Sequence, residues 1–404
     1  MKVLALGGSG DMGRMAVAIL LESPKATSIT VADKNFERAK HLVDLIGSEK
    51  LEAVEIDVTE KSNLIELISS HDLVMNTVGP YYKFATMILE AVIEAKKPYV
   101  DICDDWKPTL DLLDMNEMAK KAGITAVIGL GASPGITNLM AVIACYRLDK
   151  VDELITAWGY GVGERVGSKP KYFIEPRKFY KIFKDIPVIA NAATMHLFYE
   201  TVENIPTFRD GKMIEIKPLT DAEPLQFPGY KDTYVCHIGH PEPVTLPRVI
   251  KSNSVSNLMY MGKIITDIVR KYTQQISNKE LTVSEASIKF AEEVRIMNRN
   301  EEVIKEFIGM PPGLSVIATG IKDGIRKKIA IANNRVPFGG MAGVTSVPLA
   351  ITAKMLLNGE ITEKGVFTPE EAISDVWVFF NRYAKYCGEN LKGKDVLLVK
   401  EVDL

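Results

Sequence analysis

A short apolar strand, Lys2 to Leu6, runs straight into Gly8-Ser9-Gly10-Asp11-Met12-Gly13 and then into an apolar helix. Strand, glycine turn and helix in that order make the phosphate-binding turn of a dinucleotide fold. Gly8 is read as the tight turn, Gly10 as the place where backbone approaches a pyrophosphate, and Gly13 as the close contact of helix on strand. Ser9, Asp11 and Met12 belong to the same cofactor-binding turn, and the pyrophosphate would rest on free N–H groups at the helix N-terminus. A glycine turn used only for packing explains the glycines. It does not explain why a second strand, Ser28 to Ala32, ends in Asp33 about 20 residues further on, where an acid meets the adenosine ribose.

At 404 residues the chain exceeds a usual single domain, and 47% hydrophobic content supplies buried cores for two. The net charge of −3, with acids and bases mixed throughout, excludes the basic footprint of a nucleic-acid binder and leaves a small-molecule substrate. Four scattered cysteines without a C-x-x-C pair argue against a disulfide framework and fit a reducing cytoplasm. With neither a charged leader nor a run of about 18 apolar residues, the expectation is a cytoplasmic protein that does not enter membranes.

Strand and helix patterns alternate from Lys2 to about Gly131, with further strands at Glu52 to Ile56, Leu73 to Asn76, Pro98 to Asp101 and Thr125 to Ile128. Alternation of this kind implies a doubly wound parallel sheet. Beyond it the rhythm changes: Val151 to Gly163 and Met213 to Ile216 read as strands of a mixed α+β domain, and Ser315 to Ile321 pairs with Lys327 to Asn333 around the turn Asp323-Gly324. The fold expected is α/β, a split Rossmann sheet with an inserted mixed domain. Residues 1–134 form the first part of the dinucleotide domain, 135–337 the insertion, and 338–404 the returning segment.

The chain resembles the saccharopine dehydrogenase family over most of its length. The resemblance rests on the glycine turn, on Asn76-Thr77-Val78-Gly79-Pro80, on Pro98-Tyr99-Val100-Asp101, on Pro134-Gly135-Ile136-Thr137-Asn138, and on a tail with Ala353 to Leu357, Gly359, Gly365-Val366 and Pro369-Glu370. It implies a substrate and dimerisation domain inserted into a split Rossmann fold, a homodimer, and chemistry at carbon–nitrogen bonds of amino acids or polyamines. Saccharopine reductase, lysine 6-dehydrogenase and carboxynorspermidine dehydrogenase activities all fall within it.

A nicotinamide enzyme at a carbon–nitrogen bond needs carboxylates for cationic nitrogen, guanidinium for carboxylate, and exclusion of water. Asp104 and Asp105 follow a strand at the carboxyl edge of the sheet, where one can orient an amine or exchange its proton, or else cap the helix starting near Lys107. Asn76 to Pro80 would stand beside the nicotinamide ribose, with Tyr81 and Tyr82 as aromatic walls. The turn at Ser133 can bind a substrate carboxylate or simply start a helix. In the proline-stiffened run Tyr234 to Arg248, His237 and Arg248 are candidate substrate contacts, with Lys171, Arg177 or Arg335 as helpers. Cys236, His237 and His240 lie too close together on one rigid run to close a tetrahedron unaided, so no metal is expected. His196, His41 and His71 read as surface or packing residues. Asp33 favours NAD by accepting from a 2′-hydroxyl and repelling a 2′-phosphate, although Lys34 and Arg38 stand near enough in sequence to serve NADP. Asp57 and Val58, after the third strand, are placed near the adenine. The activity read from these residues is an NAD(P)-dependent oxidoreductase acting on an amino-acid or opine-like substrate; a non-catalytic nucleotide-binding redox sensor is the alternative.

Overall fold

Strand β1 (Lys2–Leu6) is buried at its last four positions, as a central parallel strand covered on both faces must be. The structure, a computed structural model, describes residues 1–159, 164–179, 192–297 and 299–404, apart from the side chains of residues 176 and 177. After β1 come α1 (Asp11–Leu20), β2 (Ser28–Asp33), α2 (Phe36–Ile46), β3 (Leu51–Glu55), α3 (Lys61–Ser69) and β4 (Leu73–Asn76). Next are α4 (Tyr81–Glu94), β5 (Tyr99–Asp101), α5 (Trp106–Asp114), α6 (Asn116–Ala122), β6 (Thr125–Val127) and α7 (Ile136–Cys145). Helix α2 shows the local logic. Asn35 accepts from the Arg38 N–H at 3.0 Å to cap its start, and Gly47, at φ 65°, takes the left-handed turn that ends it.

The chain divides into two compact units, Met1–Ile136 with Val166–Ile186 and Arg335–Val396, and Thr137–Arg165 with Pro187–Asn334 and Leu397–Leu404. In the first, a seven-stranded sheet runs in the order Gly365–Phe367, β6, β5, β4, β1, β2, β3, with every pairing parallel. The strand order reverses between β1 and β4, so the loops leaving those two strands diverge to opposite faces and open the crevice where ligands of such sheets bind. The helix Met341–Leu357 is apolar on nearly all sides and buried along most of its length, and it packs on α1, where the Ser346 hydroxyl donates to the Met12 carbonyl at 2.8 Å.

The second unit is built on a mixed sheet. Its order is Lys212–Ile216, Ile205–Arg209, Ser252–Tyr260, β7 (Lys150–Gly159), Leu314–Lys322, Ile325–Asn333 and Leu397–Asp403, with Cys236–His237 pairing beside Ser252–Tyr260. The hairpin at Asp323-Gly324 forms as expected, both turn residues carrying positive φ, 51° and 77°. Residues 160–163 of the strand read from Val151 lie outside the described residues.

Two segments correct the expected boundaries. The tail returns to the first unit only as far as Val396; Leu397–Asp403 pairs antiparallel with Ile325–Asn333 and covers what would otherwise be that sheet's open edge. Conversely, the stretch beginning at Val166 sits in the first unit, where the Gly167 N–H donates to the Val336 carbonyl at 2.8 Å. Hydrophobic pattern reports that a segment is buried, not which sheet buries it.

A Cβ at Gly13 would lie 2.3 Å from the Gly7 carbonyl oxygen and 2.7 Å from the Gly8 Cα, whereas one at Gly10 meets only the Gly7 oxygen at 3.2 Å. Gly13→Ala should therefore cost about 2 kcal/mol or more and Gly10→Ala less than about 1, by urea unfolding. Equal costs would show that helix α1 can shift away from the turn.

Candidate cofactor site and active site

The turn after β1 is closed by backbone. The left-handed residue is Gly7, at φ 67°, and not Gly8 as the motif suggested; a side chain at Gly7 would meet the Thr77 backbone at 3.0 Å. Gly8 serves closeness instead, since its Cβ would fall 2.8 Å from the Ala5 oxygen. Thr77 fastens the two strand ends, its hydroxyl contacting the carbonyl oxygens of Leu6 at 3.1 Å and Gly7 at 3.0 Å. Helix α1 starts after Gly10 with no side-chain cap, so its first N–H groups are left for an anion. Asp11 pairs with Arg14 at 3.1 Å in this first turn.

Asp33 reaches the turn from the end of β2. Its carboxylate accepts from the Ser9 hydroxyl at 2.5 Å and from the Asn35 N–H at 3.0 Å, which fixes its orientation at the loop. Arg38 contacts the Ser9 carbonyl at 3.4 Å. Lys34 turns away to Asp57 at 2.7 Å. That bond, with two further hydrogen bonds from Thr59, holds the Asp57 carboxyl well below its usual range. Asp57 thus closes a turn two residues beyond the end of β3, and Val58 is buried with Ile56 and Leu64.

A second network ties the carboxyl ends of β4 and β5. Asn76 donates to the Tyr99 hydroxyl at 2.9 Å, Tyr99 donates to Asp101 at 2.8 Å, and the other Asp101 oxygen accepts from the N–H groups of Cys103 at 3.0 Å and Gly129 at 2.8 Å. Asn76 also accepts from the Val78 N–H at 2.9 Å, which shapes the loop through Gly79 and Pro80. All three side chains are fully buried. Burial pushes the Asp101 carboxyl up to about 6 against the pull of the two N–H donors and Tyr99. Tyr81, expected as a substrate wall, is instead buried, with its hydroxyl donating to the Asn76 carbonyl at 3.3 Å; burial raises its pKa well above the ordinary phenol value.

This network braces the loops bearing the expected acids. Asp105 occupies the position before α5 but its carboxylate does not cap the helix, and it is buried, while Asp104 is half-buried. Ser133 lies half-buried in a turn closed by hydrogen bonds from the Gly131 N–H to Pro134 and the Ile136 N–H to Gly131, both 3.0 Å. The carboxyl edge of one sheet thus gathers the glycine turn, the Asn76 loop, two acids and Ser133, a set suited to holding a dinucleotide and a cationic group.

Residues 3–127 match the family model described as the saccharopine dehydrogenase NADP binding domain. That part of the chain is similar to this family's cofactor domain. Carboxynorspermidine synthase of Vibrio cholerae is 23% identical over 93% of each chain. Carboxyaminopropylagmatine dehydrogenase of Synechocystis is 20% identical over 91% of this chain and 92% of its own. In fold the chain is similar to apo saccharopine dehydrogenase (L-Glu forming) from Saccharomyces cerevisiae, with a TM-score of 0.59 at 16% identity over 100% and 99% of the two chains.

Outside the matched residues, the run Tyr234 to Arg248 distributes its polar groups differently from expectation. Arg248 is exposed at the end of a short 3-10 turn. His237 is strand-paired and nearly buried, and burial, then Arg209, depresses its pKa. Cys236 packs into an apolar cluster, and all four cysteines are free and buried. Within the run His240 and Glu242 are deeply buried, and beside them lie Glu200 and His196, which the sequence consigned to surface or packing. Burial opposes a charge on His240, but Glu200 and Glu242 outweigh it and raise its pKa. The available signal was His196 and Glu200 at i, i+4 on one helix face. The other histidines do pack: His41 stacks on Phe179 at 5.4 Å, and His71 contacts the Thr30 hydroxyl at 2.7 Å. Lys171 lies over Tyr172, Arg335 is half-buried, and the Arg177 side chain is outside the described residues. Among the described residues no helix is long and apolar enough to cross a membrane.

Because the folded Asp101 carboxyl titrates near 6 rather than at its ordinary 3.8, the native state holds this proton more tightly than the unfolded chain. This group's contribution is therefore greatest at low pH and is lost as pH rises through 6, by about 3 kcal/mol. Asp101→Asn removes the titration. The stability of the wild type relative to this variant should grow as pH falls from 7 to 5, as read by denaturant unfolding.

Proposed function

We propose that the chain is an NAD(P)-dependent oxidoreductase that transfers hydride at a carbon–nitrogen bond of an amino-acid-derived or opine-like substrate. The observation that carries this reading is the gathering of a glycine-rich turn, an acid hydrogen-bonded to that turn and two further carboxylates at the carboxyl edge of one parallel sheet. A bound nicotinamide would supply the hydride chemistry. The protein's part is orientation and electrostatics.

Asp104 or Asp105 would hold the substrate nitrogen and exchange its proton, and the Ser133 turn would receive a carboxylate, with Arg248 or His237 as further contacts. Gly8 to Gly13 would hold the pyrophosphate, Asp33 the adenosine ribose, Asp57 and Val58 the adenine side, and Asn76 to Pro80 the nicotinamide ribose. Asp33 supports NAD, since a carboxylate beside the adenosine ribose would repel a 2′-phosphate. Arg38, at the Ser9 carbonyl, is the cation a 2′-phosphate would use. Within this class a carboxylated polyamine is the favoured alternative to saccharopine, because two relatives named for such compounds align with nearly the whole chain. A cytoplasmic homodimer completes the proposal and rests on family resemblance.

Following the reduced nicotinamide band while saccharopine, lysine, glutamate and carboxylated polyamines are offered with each cofactor tests the activity. Turnover of one amino-acid-derived amine is expected, whereas binding of cofactor without reduction by any of them would favour the sensor. Asp33→Ala should weaken NAD by roughly tenfold while leaving NADP less affected, a loss of about 1.4 kcal/mol. Unchanged selectivity would remove Asp33 from the ribose.

A further inference from the structure

The strand order β1, β2, β3 puts the end of β2 between two loops, the glycine turn leaving β1 and the turn from Asp57 to Glu60 leaving β3. Two neighbouring residues at that end are drawn in opposite directions. Asp33 is tied to the glycine turn, where its carboxylate accepts from the Ser9 hydroxyl at 2.5 Å. Lys34, the next residue, reaches the other loop, where its ammonium donates to the Asp57 Oδ2 at 2.7 Å. An acid is thus kept on the glycine-turn side of β2, and the cation beside it in the chain is carried away.

Asp57 is a fixed acceptor. Its Oδ1 takes the Thr59 N–H at 3.0 Å and the Thr59 hydroxyl at 2.7 Å, which leaves Oδ2 for Lys34. Its carbonyl accepts from the Glu60 N–H at 3.0 Å, so backbone closes the same turn. Lys34 by contrast is 79% exposed on a flexible four-carbon stem, and its position follows the charge it finds. An exposed ion pair of this kind adds little to stability. It does decide where one ammonium rests. The ligand group to which that matters is a 2′-phosphate on the adenosine ribose, which needs a cation close to the end of β2.

We propose that Asp57 sets the choice between the two nicotinamide cofactors by holding Lys34 away from the ribose. The effect falls on the 2′-phosphorylated form, because specificity is a difference of affinities and is built here by withholding a partner. Asp33 and Asp57 are then separate restraints, one repelling the extra phosphate and the other withdrawing its counter-charge. This role rests on the nucleotide reading of the glycine turn, and it differs from a contact with adenine.

The test is calorimetric titration of the full-length protein with ADP-ribose and with 2′-phospho-ADP-ribose, which differ only in the discriminating group and require no turnover. Salt at about 0.15 M screens charges that do not touch the ligand. Asp57→Asn keeps the turn, since its Oδ1 still accepts from Thr59, and offers Lys34 an amide NH2 in place of a carboxylate oxygen. This variant should bind 2′-phospho-ADP-ribose about threefold or more tightly, with ADP-ribose unchanged within about twofold. Adding Lys34→Ala should remove the gain, whereas Lys34→Ala alone should move neither affinity by more than about twofold. Equal weakening of both probes by Asp57→Asn would overturn the proposal and make Asp57 an adenine contact, and no change in either would overturn it as well. A gain that survives Lys34→Ala, or a loss of 2′-phospho-ADP-ribose binding from Lys34→Ala alone, would overturn it by showing Lys34 uninvolved or already at the phosphate. Wild-type protein that binds neither probe is a separate result: it removes the nucleotide reading, and this role with it.

Discussion

The first unit depends on how closely two strand ends approach. β1 and β4 are neighbours in the sheet, and each runs out at its carboxyl end into a loop that would hold a ligand. Gly7 and Thr77 meet there with no room for a Cβ, and the Thr77 hydroxyl clamps the carbonyls of Leu6 and Gly7. Because the contact is backbone against backbone, it cannot be relaxed by a rotamer change. Everything that follows along the edge inherits its position: the start of α1, the reach of Ser9 to Asp33, and the path of Asn76 to Pro80.

Buried charge is managed in different ways in the two units. Asp101 is compensated by a hydroxyl and two N–H groups, so it links β5 to the loop after β6 and braces the segments on which Asp104, Asp105 and Ser133 sit. Burial keeps its carboxyl raised despite these neutral donors, and this is the origin of its expected pH signature. Glu200 and Glu242 face imidazoles instead, which can pass between neutral and charged forms.

Much of the first unit was legible because its signals are local. A glycine turn, a strand-end acid at the right interval and a cap such as Asn35 each act over a few residues, so their chemistry is written contiguously. The role of Gly8 was misassigned because a motif states where glycines occur, not which of them carries positive φ. Tyr81 was read as a wall because an aromatic after a Gly-Pro turn gives no sign of which way it faces. His196 was passed over because a lone histidine on a helix acquires meaning only from the groups brought against it.

The sequence alone therefore determined the parallel α/β fold, the existence of an insertion and the place of the glycine turn, since periodicity and short-range geometry suffice for these. Only the tertiary structure decided that Asp101 is satisfied by Gly129, that Leu397–Asp403 completes the second sheet, and that His196, Glu200, His240 and Glu242 share one buried space. Each of those outcomes joins residues distant in the chain. Their partners are selected by packing and by the need to compensate buried charge, and neither leaves a periodic trace in the sequence.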